Sequence, residues 1–285
     1  MAKSANENNR DAAGPAVKDE DSGAVARAFR ILLCFSADRH TQSARAVAEA
    51  TGIPLPSVYR YVAVLRDMGL LIRDEQSDYH LSARFIGLGR AAEAGETLIE
   101  IADPVMRRLA AATGETVLLV RLVGDAAICV HRIESSHRLR ISFEPGQGLP
   151  LDRGASARLL LASLTPDERR ARLADLWRQD RNRATALEDE VVLAAERQWA
   201  TSEEEIDPGI WAAAAAVCDA RGITAVISVP SPLVRAPHEI QEQLLERVRT
   251  AADEVSWAVR HRSPREAAAP SGPPLPKARC SATLV

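Results

Sequence analysis

The sequence predicts an α+β protein in two unequal parts: three short helices closed by a hairpin, then a larger antiparallel sheet covered by helices. Three observations predict it. Apolar residues recur at helical spacing up to about residue 65 and then give way to two short extended runs. Beyond residue 115, apolar extended runs come in pairs, the first pair joined by Gly124-Asp125, a strong two-residue hairpin signal. Helical stretches interrupt those pairs, as helices packed on an antiparallel sheet require.

Val25, Ala28, Phe29, Leu32 and Leu33 fall at i, i+3, i+4, i+7 and i+8, the spacing of a helix with one buried stripe. Thr41 or Ser43 can cap a second helix carrying Ala44, Val47 and Ala48, and Gly52 stands where that helix needs a left-handed residue. Pro54 opens a third helix with a stripe of Val58, Tyr61, Val62 and Leu65, closed by Gly69. Leu70–Arg73 and Tyr79–Leu81 read as strands around the polar turn Asp74–Asp78. Three helices followed by such a hairpin make a winged helix-turn-helix.

A small-residue helical connector runs from Arg84 to about Leu98, and the next helix puts Val105, Leu109 and Ala112 on one face with Arg108 flanking. Thr116–Val123, Ala126–Arg132 and Leu139–Phe143 read as strands. Helical segments span Ala155 to about Ala200, with Thr165-Pro166 as a cap and first turn. Strands at Trp211–Cys218 and Ile223–Val229 flank a turn at Arg221-Gly222, and a last helix runs from about Pro237 to Arg260. The expected division is an arm at 1–21, a winged helix-turn-helix at 22–83, a linker helix at 84–98, a sheet domain at 99–262 and a tail at 263–285. Both arm and tail have the composition of disordered chain.

Bulk properties narrow the function classes. With 46% hydrophobic and 26% charged residues the chain can bury a real core. No apolar run approaches the length that spans a bilayer, and no secretory leader is evident, so the expected location is the cytoplasm without membrane contact. Cys34, Cys129, Cys218 and Cys280 form no C-x-x-C pair and read as reduced thiols. The net charge is −3, yet between Gly23 and Arg90 nine arginines face six acidic residues, a local +3 that leaves −6 for the remainder. That asymmetry suits an N-terminal part that meets a polyanion. The three lysines (Lys3, Lys18, Lys277) all lie in the tails, so phosphate contacts would come from arginine, polar side chains or backbone amides.

A helix that enters the major groove needs short or hydrogen-bonding residues opposite its buried stripe, mostly near its N-terminus. The third helix offers Ser57, Tyr59, Arg60 and Arg66 there, with Arg60 able to hold a guanine or a phosphate. Leu55 and Pro56, at the helix tip, could touch a thymine methyl, while Arg45 and Arg73 could hold phosphates. The same residues would also serve a winged helix that binds protein.

These motifs resemble those of the IclR family of bacterial transcriptional regulators. Thr51-Gly-Ile-Pro-Leu-Pro-Ser-Val-Tyr-Arg-Tyr-Val and Leu65-Arg-Asp-Met-Gly-Leu-Leu are similar to its recognition helix. Leu149-Pro-Leu and Gly154-Ala-Ser-Ala-Arg-Leu-Leu-Leu-Ala are similar to the loop and helix at its effector pocket. Asp207-Pro-Gly-Ile-Trp and Ile223-Thr-Ala-Val-Ile-Ser-Val resemble its paired C-terminal strands. The resemblance spans about 23–262 and implies a ligand-responsive regulator, more often a repressor. It implies a GAF-like effector domain and a homodimer or dimer of dimers on a near-palindromic double-stranded operator. It also implies that the alanine run 212–216, which favours helix by propensity, is strand.

For the effector, the resemblance implies a small organic acid or aromatic metabolite bound at Gly154, Ala155, Ser156, Ser202, Ala212 and Ser228. Backbone amides and the Ser156 hydroxyl at a helix start would receive a carboxylate. The sequence has Ala212, Ser202 and Pro230 where acid-binding members can carry more polar groups. That makes the pocket less polar and favours a bulkier effector than glyoxylate.

Other chemistry finds little footing. Gly154-Ala-Ser-Ala-Arg lacks the second glycine of a nucleophile elbow, so neither a hydrolase nor any catalytic residue is expected. Cys129 and His131, two apart on one strand, could share a face as metal ligands, but the other histidines offer no matching spacing. There is no Walker loop and no G-x-G-x-x-G, so no cofactor is expected.

Overall fold

The computed structural model describes residues 23–36, 39–94, 97–141 and 143–261. The arm at 1–21 and the tail at 263–285, with Cys280 and all three lysines, lie outside the described residues.

The first part comprises α1 (Ala24–Leu32), β1 (Thr41–Gln42), α2 (Ala44–Thr51), α3 (Leu55–Asp67), β2 (Leu71–Arg73) and β3 (Tyr79–Leu81). Ser43 caps α2 by accepting from the Ala46 amide at 3.1 Å, and Gly52 ends it at φ +69°, a left-handed conformation that glycine adopts without a Cβ penalty. Val58, Tyr61, Val62 and Leu65 of α3 are buried as their spacing predicts, against Ile31, Phe35, Val47, Leu71 and Tyr79. The hairpin of β2 and β3 forms in the predicted place, with Leu71 opposite Leu81. A third strand, β1, adds to the far side of β3 with Thr41 opposite His80. At two residues β1 is too short for any alternation to reveal it.

The helix α1 corrects its expected stripe. Ile31 is its buried residue, with Ala28 and Leu32 partly covered, whereas Val25, Phe29 and Leu33 are 70%, 59% and 64% exposed. Both sides of this helix are apolar, so periodicity alone could not tell which one faces the core.

The second part follows α4 (Arg84–Ala94). It contains α5 (Thr97–Thr113), β4 (Val117–Val123), β5 (Ala126–Ile133), β6 (Gly148–Leu149), α6 (Ala155–Ala162), α7 (Pro166–Arg172), α8 (Ala174–Gln179) and α9 (Arg181–Arg197). The chain then returns to the sheet in β7 (Trp199–Glu203), β8 (Ile210–Asp219) and β9 (Gly222–Pro232), and ends in α10 (His238–His261). The strands form one six-stranded antiparallel sheet in the order β6-β5-β4-β9-β8-β7.

Alternation along the strands gives this sheet two buried faces. Val117, Leu119, Ala213, Ala215, Ala225 and Ile227 pack against α5 and α10. Leu118, Val120, Ala214, Ala216 and Val226 pack beneath Ala155, Leu159 and Leu160 of α6. The alanine run is therefore strand, because both its faces are covered closely by helices. Glu115 fixes the junction of α5 and β4 to the end of β9 and the chain beyond it: Ser231 donates to it at 3.0 Å, and Arg235 donates to its two oxygens at 2.6 and 2.7 Å. The predicted cap at Thr165 is present, and Glu168 makes it a capping box by accepting from the Thr165 amide at 2.8 Å.

Four local expectations fail, each for a tertiary reason. Ala112 is exposed, and the core side of α5 is instead Leu98, Ala102, Val105, Met106, Leu109 and Ala110. Residues 139–141 and 143 form no strand; β6 takes the place beside β5. Helix does not continue to Ala200, because Gln198 turns left-handed at φ +62° and Trp199 begins β7. Cys129 and His131 do not share a face. A register shift opposite Leu119 and Val120 leaves Val130 unpaired and turns the strand over, so Cys129 lies under α6 while His131 meets Asp103 of α5 at 2.9 Å. Arg107 and then His131 hold the Asp103 carboxyl below the usual range.

Burial pushes the Cys129 thiol up to about 11, so the folded chain holds it as the unreactive neutral form at pH 8. Iodoacetamide at that pH is expected to leave Cys129 unlabelled until guanidinium unfolds the chain, as read by peptide mass spectrometry. Labelling in the native state at the rate of a free thiol would mean that β5 opens readily.

Candidate functional site

Two surfaces carry the chemistry. On the first part, the side of α3 away from its buried stripe exposes Pro56, Tyr59 and Arg60, with Ser57 half-buried beside them. Arg45 on α2 and Arg73 on the hairpin are exposed as well. The Arg60 guanidinium lies 5.2 Å from the Tyr61 ring centre, and that of Arg73 lies 5.9 Å from the Tyr79 ring centre. Arg27 of α1 and then Arg60 hold the Tyr61 hydroxyl below the ordinary tyrosine pKa by hydrogen bonding to it. Arginines of this part thus come from all three helices and the hairpin, and Arg27 and Arg60 meet at Tyr61.

One of the predicted contact residues, Leu55, is placed differently from expectation, while Arg66 is exposed opposite the buried stripe as expected. Leu55 is half-buried against the core of this part, so its side chain is not an exposed tip. Arg66 lies in the last turn of α3, away from the helix tip, and pairs with Asp67 at 3.2 Å. Arg27 was missed; its signal was only its membership of the local arginine excess.

On the second part, a cavity opens between the sheet and the start of α6. The space inside it open to the centre of a water molecule is about 30 Å³. Register builds its floor: Ser202, Ala212 and Pro230 stand opposite one another across β7, β8 and β9, and Ser228 and Leu118 form the next row. Ala155 and Ser156 contribute one wall and Ile141, Phe143 and Leu149 another, while Glu205, Ile206 and Asp207 come from the loop between β7 and β8. Five of the six predicted pocket residues therefore line one space. Gly154 is the sixth and acts behind the wall. The loop residues and Phe143 were missed, since they reach the cavity only through the packing of loops.

The start of α6 is built around Gly154. Its φ of +92° is a conformation that side chains rarely adopt, and a Cβ there would lie 2.8 Å from the Ile206 Cδ1. Its amide donates to Glu205 at 2.8 Å. Arg158, almost wholly buried, donates to Glu205 at 2.7 Å, to Glu190 at 2.9 Å and to the Thr201 carbonyl at 3.2 Å. Arg183 completes the cluster through Glu190 at 2.8 Å. The first bond within α6 runs from the Arg158 amide to the Gly154 carbonyl at 3.4 Å, so the amides of Ala155, Ser156 and Ala157 have no acceptor in the helix.

The hydroxyls differ in availability. Ser228 donates to the Ala213 carbonyl at 3.2 Å. Ser156 and Ser202 are only 9% and 8% exposed, line the cavity, and make no hydrogen bond among the described residues. Both hydroxyls reach the cavity itself, where a polar group that enters can bond to them.

The fold joins a winged helix-turn-helix to a helix-covered sheet enclosing a cavity, which is the architecture of a transcription regulator. A family model for the IclR helix-turn-helix domain matches residues 24–75, and one for the C-terminal domain of the bacterial transcriptional regulator IclR matches residues 92–257. The chain belongs to the IclR family of bacterial transcriptional regulators. It is 29% identical over 248 residues to the probable transcriptional regulator SauR of Cupriavidus necator, covering 84% of this chain and 98% of the relative. To the HTH-type transcriptional repressor AllR of Escherichia coli it is 24% identical over 250 residues, covering 85% and 92%. The fold is similar to that of an IclR homologue from Microbacterium hydrocarbonoxydans solved with 4-hydroxybenzoate. The TM-score there is 0.65 at 20% identity, covering 83% of this chain and 99% of that one.

Gly154→Ala is expected to cost about 1–3 kcal/mol in denaturant unfolding, since the new methyl meets Ile206 and the φ is strained. An unchanged midpoint would show that the loop between β7 and β8 yields freely.

Proposed function

We propose that this regulator is a homodimeric repressor that releases its operator when a small organic or aromatic metabolite enters the cavity at α6. The observation that carries the sensing half is the pair of hydroxyls on the cavity wall, Ser156 and Ser202, which make no hydrogen bond among the described residues, beside three amides of the α6 N-terminus with no acceptor in the helix. Such a helix end favours an acidic group by about 0.3–2 kcal/mol. The neighbour solved with 4-hydroxybenzoate supports a ligand of that size, and AllR, named a repressor, supports the direction of control. Gly154, Ala155, Ser156, Ser202, Ala212 and Ser228 form the effector site, Gly154 by setting the position of the amides.

On the DNA side, Pro56, Ser57, Tyr59 and Arg60 meet bases or phosphates in the major groove, and Arg45 and Arg73 hold the flanking backbone. The division of labour follows the sequence: residues 22–83 bind DNA, 84–98 link, and 99–262 sense. The pocket binds without turnover, since no histidine lines it to activate Ser156.

Dimerisation is supported by α1. Val25, Phe29 and Leu33 form an exposed apolar stripe at i, i+4 and i+8, and such stripes mark contact surfaces. Two copies paired there would present two recognition helices to a near-palindromic site. Effector binding then needs to shift operator affinity by only about 1–3 kcal/mol to act as a switch.

The test is an anisotropy titration of the full chain against its own upstream intergenic DNA at two salt concentrations. Binding well above that to scrambled DNA, with a steep salt slope, is expected. Equal binding to both sequences, there and in a selection from pooled genomic DNA, would favour a protein-binding winged helix. Arg60→Ala is expected to weaken operator binding at least tenfold with the thermal midpoint unchanged; full affinity would remove Arg60 from the interface. Phe29→Glu is expected to shift the dimer towards monomer in light scattering, and an intact dimer would place the contact elsewhere.

A further inference from the structure

The buried stripe of α3 calls only for a hydrophobe at position 61, yet a tyrosine stands there. Tyr61 is 7% exposed and packs in the core of the first part with Ile31, Val58 and Leu65. Its hydroxyl accepts from two arginines on different helices, Arg27 of α1 and Arg60 of α3. The Arg60 guanidinium also lies 5.2 Å from the ring centre. A phenol oxygen has two lone pairs for such bonds, whereas a phenylalanine would fill the same core space and offer none.

The two guanidiniums are otherwise uncompensated. In the second part Arg107, Arg158, Arg169 and Arg235 each pair with a carboxylate. Arg27 and Arg60 have no carboxylate partner among the described residues. Two like charges gathered at one neutral oxygen repel each other, and an anion that meets both relieves the repulsion. Holding long arginine side chains in place costs conformational freedom, and the hydroxyl takes that cost before the anion arrives. Arg60 lies on the side of α3 read above as facing DNA, so the anion is a backbone phosphate. The inference rests on that reading.

We propose that Tyr61 is a positioning residue of the DNA interface, its hydroxyl fixing Arg27 and Arg60 side by side so that both close on one backbone phosphate. The ring stays in the core and touches no DNA. Through this hydroxyl α1 and α3 hold the backbone as one unit.

Anisotropy titrations of the full chain test this, on its upstream intergenic duplex and on a scrambled duplex at low salt. Tyr61→Phe keeps the buried ring and is expected to leave the thermal midpoint unchanged. It is expected to lower affinity about three- to tenfold on both duplexes, since a phosphate contact carries no sequence information. Arg27→Ala is expected to make the slope of log affinity against log salt shallower by about one. In a chain carrying both Arg27→Ala and Arg60→Ala, adding Tyr61→Phe is expected to change affinity less than about twofold, because nothing remains to position. Undiminished binding by the single variant Tyr61→Phe overturns the proposal. So does the same loss in the chain without the two arginines, which would mark a role in the core alone. Equal affinity of the unmodified chain for both duplexes, with the Tyr61→Phe loss intact, removes sequence reading and leaves the phosphate seat standing. No salt-dependent binding to either duplex overturns both the seat and the DNA-binding reading.

Discussion

Arg158 is nearly buried and bonded at once to two carboxylates and a carbonyl. Through Glu190 it ties α6 to α9, and through Glu205 it ties α6 to the loop that rims the cavity. Glu205 in turn accepts from the Gly154 amide, which fixes where the free amides of α6 begin. Removing one member of such a buried cluster leaves a charge uncompensated, a loss of about 3–5 kcal/mol in comparable cases. The geometry of the cavity therefore depends on a side chain that does not itself line it.

A second constraint is the double-sided sheet. With α5 and α10 on one face and α6 and α9 on the other, every residue of the central strands meets a helix or another strand. Small side chains on β8 let these layers approach closely, which is the physical use of five successive alanines. The cavity lies on the α6 face at the start of that helix, where Ala212 and Pro230 add little volume and Ser202 and Ser228 add hydroxyls. The sheet and the start of α6 thus both line it.

The first part solves a different problem with fewer residues. Its core of Ile31, Val47, Val58, Val62, Leu65 and Leu71 holds α3 by one face and leaves the other to solvent. Arginines from α1, α2, α3 and the hairpin supply positive charge without lysine, which suits the planar, multiply donating contacts that guanidinium groups make with phosphates and bases. Val25, Phe29 and Leu33 of α1 remain an exposed apolar stripe on the same small unit.

Much of this was legible in the sequence, because local rules govern it. The stripe of α3, the left-handed Gly52, the Gly124-Asp125 hairpin and the Thr165 cap depend on near neighbours in sequence, and each formed as its spacing predicts. Family resemblance added the strand at 212–216 and five residues that line one cavity. Tertiary structure decided the rest. Which side of α1 is buried, where Cys129 and His131 point once Val130 is squeezed out of the ladder, and which strand borders β5 are set by partners far away in sequence. The same holds for Glu205, Ile206 and Asp207, whose carboxylates and methyls acquire meaning only when their loop closes against Gly154. Periodicity records a residue's own helix or strand; it carries no information about which surface arrives to cover it.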